Sequence, residues 1–218
     1  MTGDTLTRVP LPARTATTKL IVVVRAADAT DYDRILDVLV DAGIGSVELT
    51  LTTPGTLERL PHLLDRFGDA ADIGVGTVTD AEQLAAAIDA GAHYLVTPIT
   101  DTHLVQTAHR AGVPMVPGGL TPTELFAAWQ AGAAAVKIFP ANQVGAGYVK
   151  DLHGPFPEIA VVPSGGVDLR GAVAWLAAGA AAVSVGGPLL GDAVRGGDLG
   201  ALRERAQAFV AACGPDTA

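Results

Sequence analysis

The stretch QAGAAAVKIFPAN, residues 130–142, holds the signals that decide the fold: a helix end, a glycine, and a short apolar run that follows at once. Its opening phrase recurs as DAGIGSVEL (41–49), DAGAHYLV (89–96) and AAGAAAVSV (177–185). Each copy puts glycine where a helix C-terminus needs a left-handed residue, and a new strand begins within two or three positions. A chain that repeats this junction alternates helices with parallel strands.

Outward from these junctions, β-branched runs alternate with alanine- and leucine-rich segments of helical period, and glycine or proline marks most changes. Strands are predicted at LIVVVR (20–25), SVELTL (46–51), DIGVGT (72–77), HYLVTP (93–98), PMVPG (114–118), AAVKIF (134–139), IAVVPSG (159–165) and AAVSVGG (181–187). Strand-helix units of about 20 to 30 residues point to a (β/α)8 barrel, with its site at the C-terminal ends of the strands. An open doubly wound sheet is the alternative, but the GxGxxG turn usual after its first strand is missing. The expected organisation is a poorly ordered or loosely docked N-terminal extension (1–19), one barrel domain (20–213) and a short tail (214–218). The segment DLGALRERAQAFVAAC (198–213) reads as an amphipathic closing helix, with Leu199, Leu202, Ala206, Phe209 and Val210 on one side.

The 218 residues suffice for one full core, and 49% apolar content with low charge marks a globular chain. A net charge of −9 argues against a general nucleic-acid or anionic-membrane partner, so an anionic ligand would have to be held locally. The single cysteine, Cys213, forms no internal disulfide. With neither a signal-peptide pattern nor a membrane-spanning run, cytoplasmic localisation is expected. No pair of the five histidines has metal-ligand spacing at a predicted strand end, which disfavours a metal-dependent aldolase or hydrolase; no metal or other cofactor is expected.

Lys137, one of three lysines, falls inside an apolar strand. Period-two counting turns Ala135, Lys137 and Phe139 to one face, and the barrel interior is that face. A lysine there is either paired with a carboxylate, or snorkels to solvent, or is a Schiff-base nucleophile whose amine is kept neutral by partial burial. The same counting turns Ser46, Glu48, Thr50 and Thr52 inward on the second strand. Glu48 is then either a charge partner for Lys137 or the proton carrier that imine chemistry needs. Arg25 and Thr77, ending the first and third strands, are candidates for a substrate carboxylate, with a rim salt bridge and a strand-end cap as their bland alternatives. PSGGVD (163–168) and VGGPLL (185–190) put Ser164, Gly165, Gly166, Gly186 and Gly187 after the last two strands, where barrels often hold phosphate on backbone N–H groups.

Taken in order, Glu48 in SVELTLTTPG, Thr77 in IGVGTVTDAEQL, Pro98 in LVTP, the segment PGGLTPTEL and Lys137 in VKIFPA resemble the 2-keto-3-deoxy-6-phosphogluconate aldolase family from about Val22 to Val194. The resemblance implies a class I aldolase, commonly trimeric, that cleaves a 2-keto-3-deoxy-6-phospho sugar acid to pyruvate and glyceraldehyde 3-phosphate, in some members also 4-hydroxy-2-oxoglutarate. It makes Lys137 the Schiff-base residue, Glu48 the proton shuttle, Thr77 and Pro98 the pyruvate end, and Gly165, Gly166 and Gly186 part of the phosphate loops. A homotrimer binding a keto acid and pyruvate is the implied assembly. Two positions depart from the commonest pattern: Thr52 stands where many members carry the carboxylate-binding arginine, and Pro188 where a serine often follows the glycines. A phosphosugar isomerase or epimerase, and a ligand-binding relative without turnover, are the competing readings.

Overall fold

The computed structural model describes residues 7–214. Its strands are β1 (Leu20–Val24), β2 (Ser46–Thr50), β3 (Asp72–Gly76), β4 (Leu95–Val96), β5 (Met115–Val116), β6 (Gly118–Gly119), β7 (Val136–Ile138), β8 (Val161–Pro163) and β9 (Val183–Val185). The helices are α1 (Ala13–Thr18), α2 (Tyr32–Asp41), α3 (Thr56–Phe67), α4 (Ala81–Asp89), α5 (Thr102–Arg110), α6 (Pro122–Gln130), α7 (Gly147–His153), α8 (Leu169–Ala177), α9 (Gly187–Leu190) and α10 (Leu199–Cys213). The repeated junctions behave as their spelling implies. Gly43 and Gly132 take φ of 94° and 105°, and the next N–H reaches back five residues, Ile44 to Leu39 O and Ala133 to Ala128 O, which closes the helix end.

Every strand pairing is parallel. The strands form two sheets, ordered β5-β4-β3-β2-β1-β9 and β6-β7-β8. The fold is therefore α/β, with parallel strands curled into part of a barrel wall rather than one uninterrupted eight-stranded ladder. Two features explain the break. Pro117 has no N–H for a ladder and divides the fifth expected strand into β5 and β6, although its carbonyl still accepts from Lys137 N–H at 2.7 Å. Between β8 and β9, contact narrows to a single parallel bridge, Ser164 to Ser184.

Alternation divides the apolar side chains into two layers. Val47, Leu49, Val75 and Leu95 belong to the large cluster packed under the helices, while Ile21, Tyr94, Val96, Val116, Ala135, Val162 and Ala182 form a small separate one. α10 buries Leu202, Ala206, Phe209 and Cys213, and Asp198 caps it by accepting from Gly200 and Ala201 N–H.

The loosely docked N-terminal extension needs correction from residue 7 onward; residues 1–6 lie outside the described part. Thr15 of α1 is fully buried, its N–H donates to Asp72 Oδ2 at 2.7 Å, and its hydroxyl lies 2.8 Å from Ser46 Oγ. Ser46 Oγ in turn lies 3.0 Å from Tyr94 OH. Arg8 stacks over the Trp129 ring at 3.5 Å and donates to Trp129 O, in the last turn of α6, and to Ala133 O just beyond it. Proline and threonine content marks this segment as non-core, but each of these partners is distant in sequence.

Candidate active site

A cavity of about 530 Å³ opens at the C-terminal ends of the strands. Lys137 reaches it from β7, flanked by Gly118 on β6 and Val162 on β8. Lys137 is 7% exposed and makes no ion pair among the described residues; its Nζ lies 5.2 Å from the centre of the Phe139 ring. Of the alternatives for this lysine, the carboxylate-paired form is thus not the one adopted. A lysine held at a cavity wall without a carboxylate partner is placed to act as a nucleophile toward a bound carbonyl.

Glu48 is 1% exposed, and its Oε2 has no hydrogen-bond partner in the protein. Its side chain packs over β3: a Cβ on Gly76 would stand 2.6 Å from Glu48 Cγ and overlap the carboxylate. Gly76 immediately precedes Thr77, and Val23, the register partner of Glu48 on β1, lines the cavity. Glu48 therefore lies under the cavity wall formed by β1 and β3, with one carboxylate oxygen unpartnered. Below it, burial pushes the Tyr94 phenol well above its ordinary value, opposed by the Ser46 hydrogen bond and reinforced by the Glu48 and Asp72 charges. Tyr94 stays a neutral hydroxyl in the floor.

Around Lys137 the cavity gathers Arg25, Thr77, Pro98, Ser164, Gly165, Gly166, Gly186 and Gly187. Thr77 holds φ at 63°, a left-handed conformation rare for a β-branched residue. Ser164 is buried with its hydroxyl 3.1 Å from Ser184 Oγ. Gly165 and Gly166 press against Phe139 and Asn142, where a Cβ would come within 3.2 and 3.0 Å. Arg25 is exposed at the rim and forms no ion pair among the described residues. Thr52 is not brought in: it is exposed, and its hydroxyl donates to Thr50 Oγ1 at 3.0 Å. Period-two counting fails there because β2 ends at Thr50 and the chain turns. Sequence reasoning missed Arg195, which reaches the rim from a turn before α10. No strand or motif marks that position. Among the described residues, no group of three or more His, Cys, Asp or Glu side chains is placed to hold a metal.

The sequence pattern of the KDPG and KHG aldolases matches residues 12–204. The chain belongs to the KDPG and KHG aldolase family. It is 36% identical over 171 residues to the 2-dehydro-3-deoxy-6-phosphogalactonate aldolase of Escherichia coli (strain K12), covering 78% of this chain and 83% of that one. It is 33% identical over 175 residues to the 2-dehydro-3-deoxy-phosphogluconate aldolase of Pseudoalteromonas atlantica, covering 79% and 81%. The structure of Legionella pneumophila KDPG aldolase, with pyruvate captured at low pH as a covalent carbinolamine, superposes with a TM-score of 0.83 at 26% identity over 90% of this chain and 96% of that one. The family resemblance read from the motifs is thus borne out over most of the chain.

Proposed function

We propose that this protein is a class I aldolase that cleaves a 2-keto-3-deoxy-6-phospho sugar acid to pyruvate and glyceraldehyde 3-phosphate. The observation that carries the reading is Lys137: buried, without an ion-pair partner, at the wall of the cavity, with Glu48, one of its carboxylate oxygens unpartnered, buried on β2 beneath Val23 and Thr77 of the same cavity. The Lys137 amine attacks the C2 ketone, the carbinolamine loses water, and a protonated imine forms. Glu48 takes the proton of the C4 hydroxyl. The electron pair of the C3–C4 bond moves into the imine to give an enamine, and the aldehyde leaves. The enamine regains a proton at C3, and hydrolysis returns pyruvate and the free lysine. Arg25 holds the carboxylate, Thr77 and Pro98 border the pyruvate end, and Ser164, Gly165, Gly166, Gly186 and Gly187 face the distal end.

The same reading includes closure into a (β/α)8 barrel, supported by the sequential strand order and the Ser164–Ser184 bridge between β8 and β9. It also includes a homotrimer, for which exposed Ile99 and Phe139 beside the cavity are apolar surface in need of cover.

Borohydride reduction in the presence of pyruvate tests the mechanism. One pyruvyl adduct at Lys137 is expected, with Lys19 and Lys150 unmodified. An isomerase or epimerase at the same cavity forms no imine and traps nothing, and a binding relative traps without turnover.

A further inference from the structure

We infer that Arg195 is a specificity-determining residue, its guanidinium taking the phosphate at the far end of the keto-acid chain; this rests on the aldolase reading above. The first support is charge. The residues lining the cavity include Lys137, Arg25 and Arg195 and not one Asp or Glu, on a chain whose net charge is −9. A local excess of cation on an acidic protein selects an anionic ligand. A phosphorylated keto acid carries anionic groups at its two ends. One arginine serves the carboxylate, and a second cation remains.

The second support is how the segment is held. Arg195 ends a 3₁₀ turn, Ala193–Arg195, between α9 and α10. Two other arginines pin this region from outside: Arg34 Nη1 donates to Ala193 O at 2.9 Å, and Arg205 donates to Leu189 O at 2.6 Å and Leu190 O at 3.0 Å. Arg34 is itself paired with Asp31 at 3.0 Å. Ala193, the first residue of the turn, is fully buried. Arg195, in contrast, is exposed along the cavity and forms no ion pair among the described residues. Backbone anchoring of this kind lowers the ordering cost of a side-chain contact to ligand.

The third support is Pro188. It lines the glycine-rich wall and has no N–H to offer an oxyanion, so that wall is one donor poorer than its glycines imply. A guanidinium lining the same cavity supplies paired donors in the planar fork that phosphate accepts. Val194 and Leu190 also line the cavity and give the intervening carbon chain an apolar bed.

The test compares the parent with Arg195→Gln and Arg195→Lys. KM for phosphorylated substrate should rise roughly 10- to 100-fold in Arg195→Gln, the scale of a lost charge-assisted contact, with partial recovery in Arg195→Lys. Half-saturating pyruvate in borohydride trapping, and KM for the phosphate-free 4-hydroxy-2-oxoglutarate, should not change. Equal losses with and without phosphate, or none, overturn the inference while leaving the aldolase reading standing. If the parent traps no pyruvate at Lys137, that reading fails, and Arg195 is judged by binding alone. Thermal shift with 3-phosphoglycerate against glycerate then decides: a phosphate-specific shift lost in Arg195→Gln supports the role, and an unchanged shift ends it.

Discussion

Gly76 makes the room in which Glu48 sits: any Cβ at that position would overlap the Glu48 carboxylate. Two residues earlier, a Cβ on Gly74 would come within 2.6 Å of the Tyr94 ring. The GVG spelling of β3 is therefore steric, two inward spaces on alternate residues, and φ is not positive at either glycine. Gly76→Ala should leave the backbone able to fold but displace the Glu48 side chain. Turnover should fall by roughly 10²-fold or more, as expected for misplacing a general acid-base group, while pyruvate trapping at Lys137 persists. Glu48→Gln should show the same split. Parent-like turnover in both variants would reduce Glu48 to a structural residue.

Arg25 offers the other anion contact. If it holds the substrate carboxylate, Arg25→Ala should raise half-saturating pyruvate in borohydride trapping roughly 10-fold or more, since pyruvate carries the carboxylate and no phosphate. An unchanged half-saturation with impaired cleavage of phosphorylated substrate would reassign Arg25 to the distal end and make it a neighbour of Arg195 in function.

Thr77 stores strain. A β-branched residue at φ 63° costs about 1–3 kcal/mol, and glycine removes that penalty at an entropic cost of about 0.5–1 kcal/mol. Thr77→Gly should raise the urea midpoint or leave it level. It should at the same time weaken keto-acid binding through loss of the hydroxyl at the cavity wall. A clear fall in the midpoint would mean that the threonine side chain contributes more by packing than its backbone costs.

Burial pushes the Cys213 thiol up from 9.0 to about 11. The folded state thus prefers the neutral thiol, and the stability this gives is complete below about pH 9 and lost between about pH 9 and 11. Two pKa units correspond to about 2–3 kcal/mol. Tyrosines also titrate in this range, so the check is a difference: the stability gap between parent and Cys213→Ala, from urea unfolding at several pH values, should move against the parent as pH rises through that window. A gap independent of pH would refute the assignment.

The order of elements, the glycine ends of the helices and the inward side of Lys137 and Glu48 were legible in the chain because each follows from local geometry: a left-handed cap, a 3.6-residue or two-residue period. Thr52 shows the limit of that reasoning, since a period holds only as far as its strand and β2 stops two residues earlier. Pro117 is visible in the sequence, but that it splits a strand while still accepting from Lys137 depends on which neighbour lies alongside. Burial of Thr15 against Asp72, and the pairing of Gly76 with Glu48, required segments far apart in sequence to meet. Arg195 is the extreme case. It lies in a polar turn with no periodicity, and it joins Arg25 and Lys137 at one cavity only because Arg34 and Arg205 tie its segment down from other helices. Short-range sterics set the elements along this chain; long-range packing and hydrogen bonding decided which charged side chains share a site.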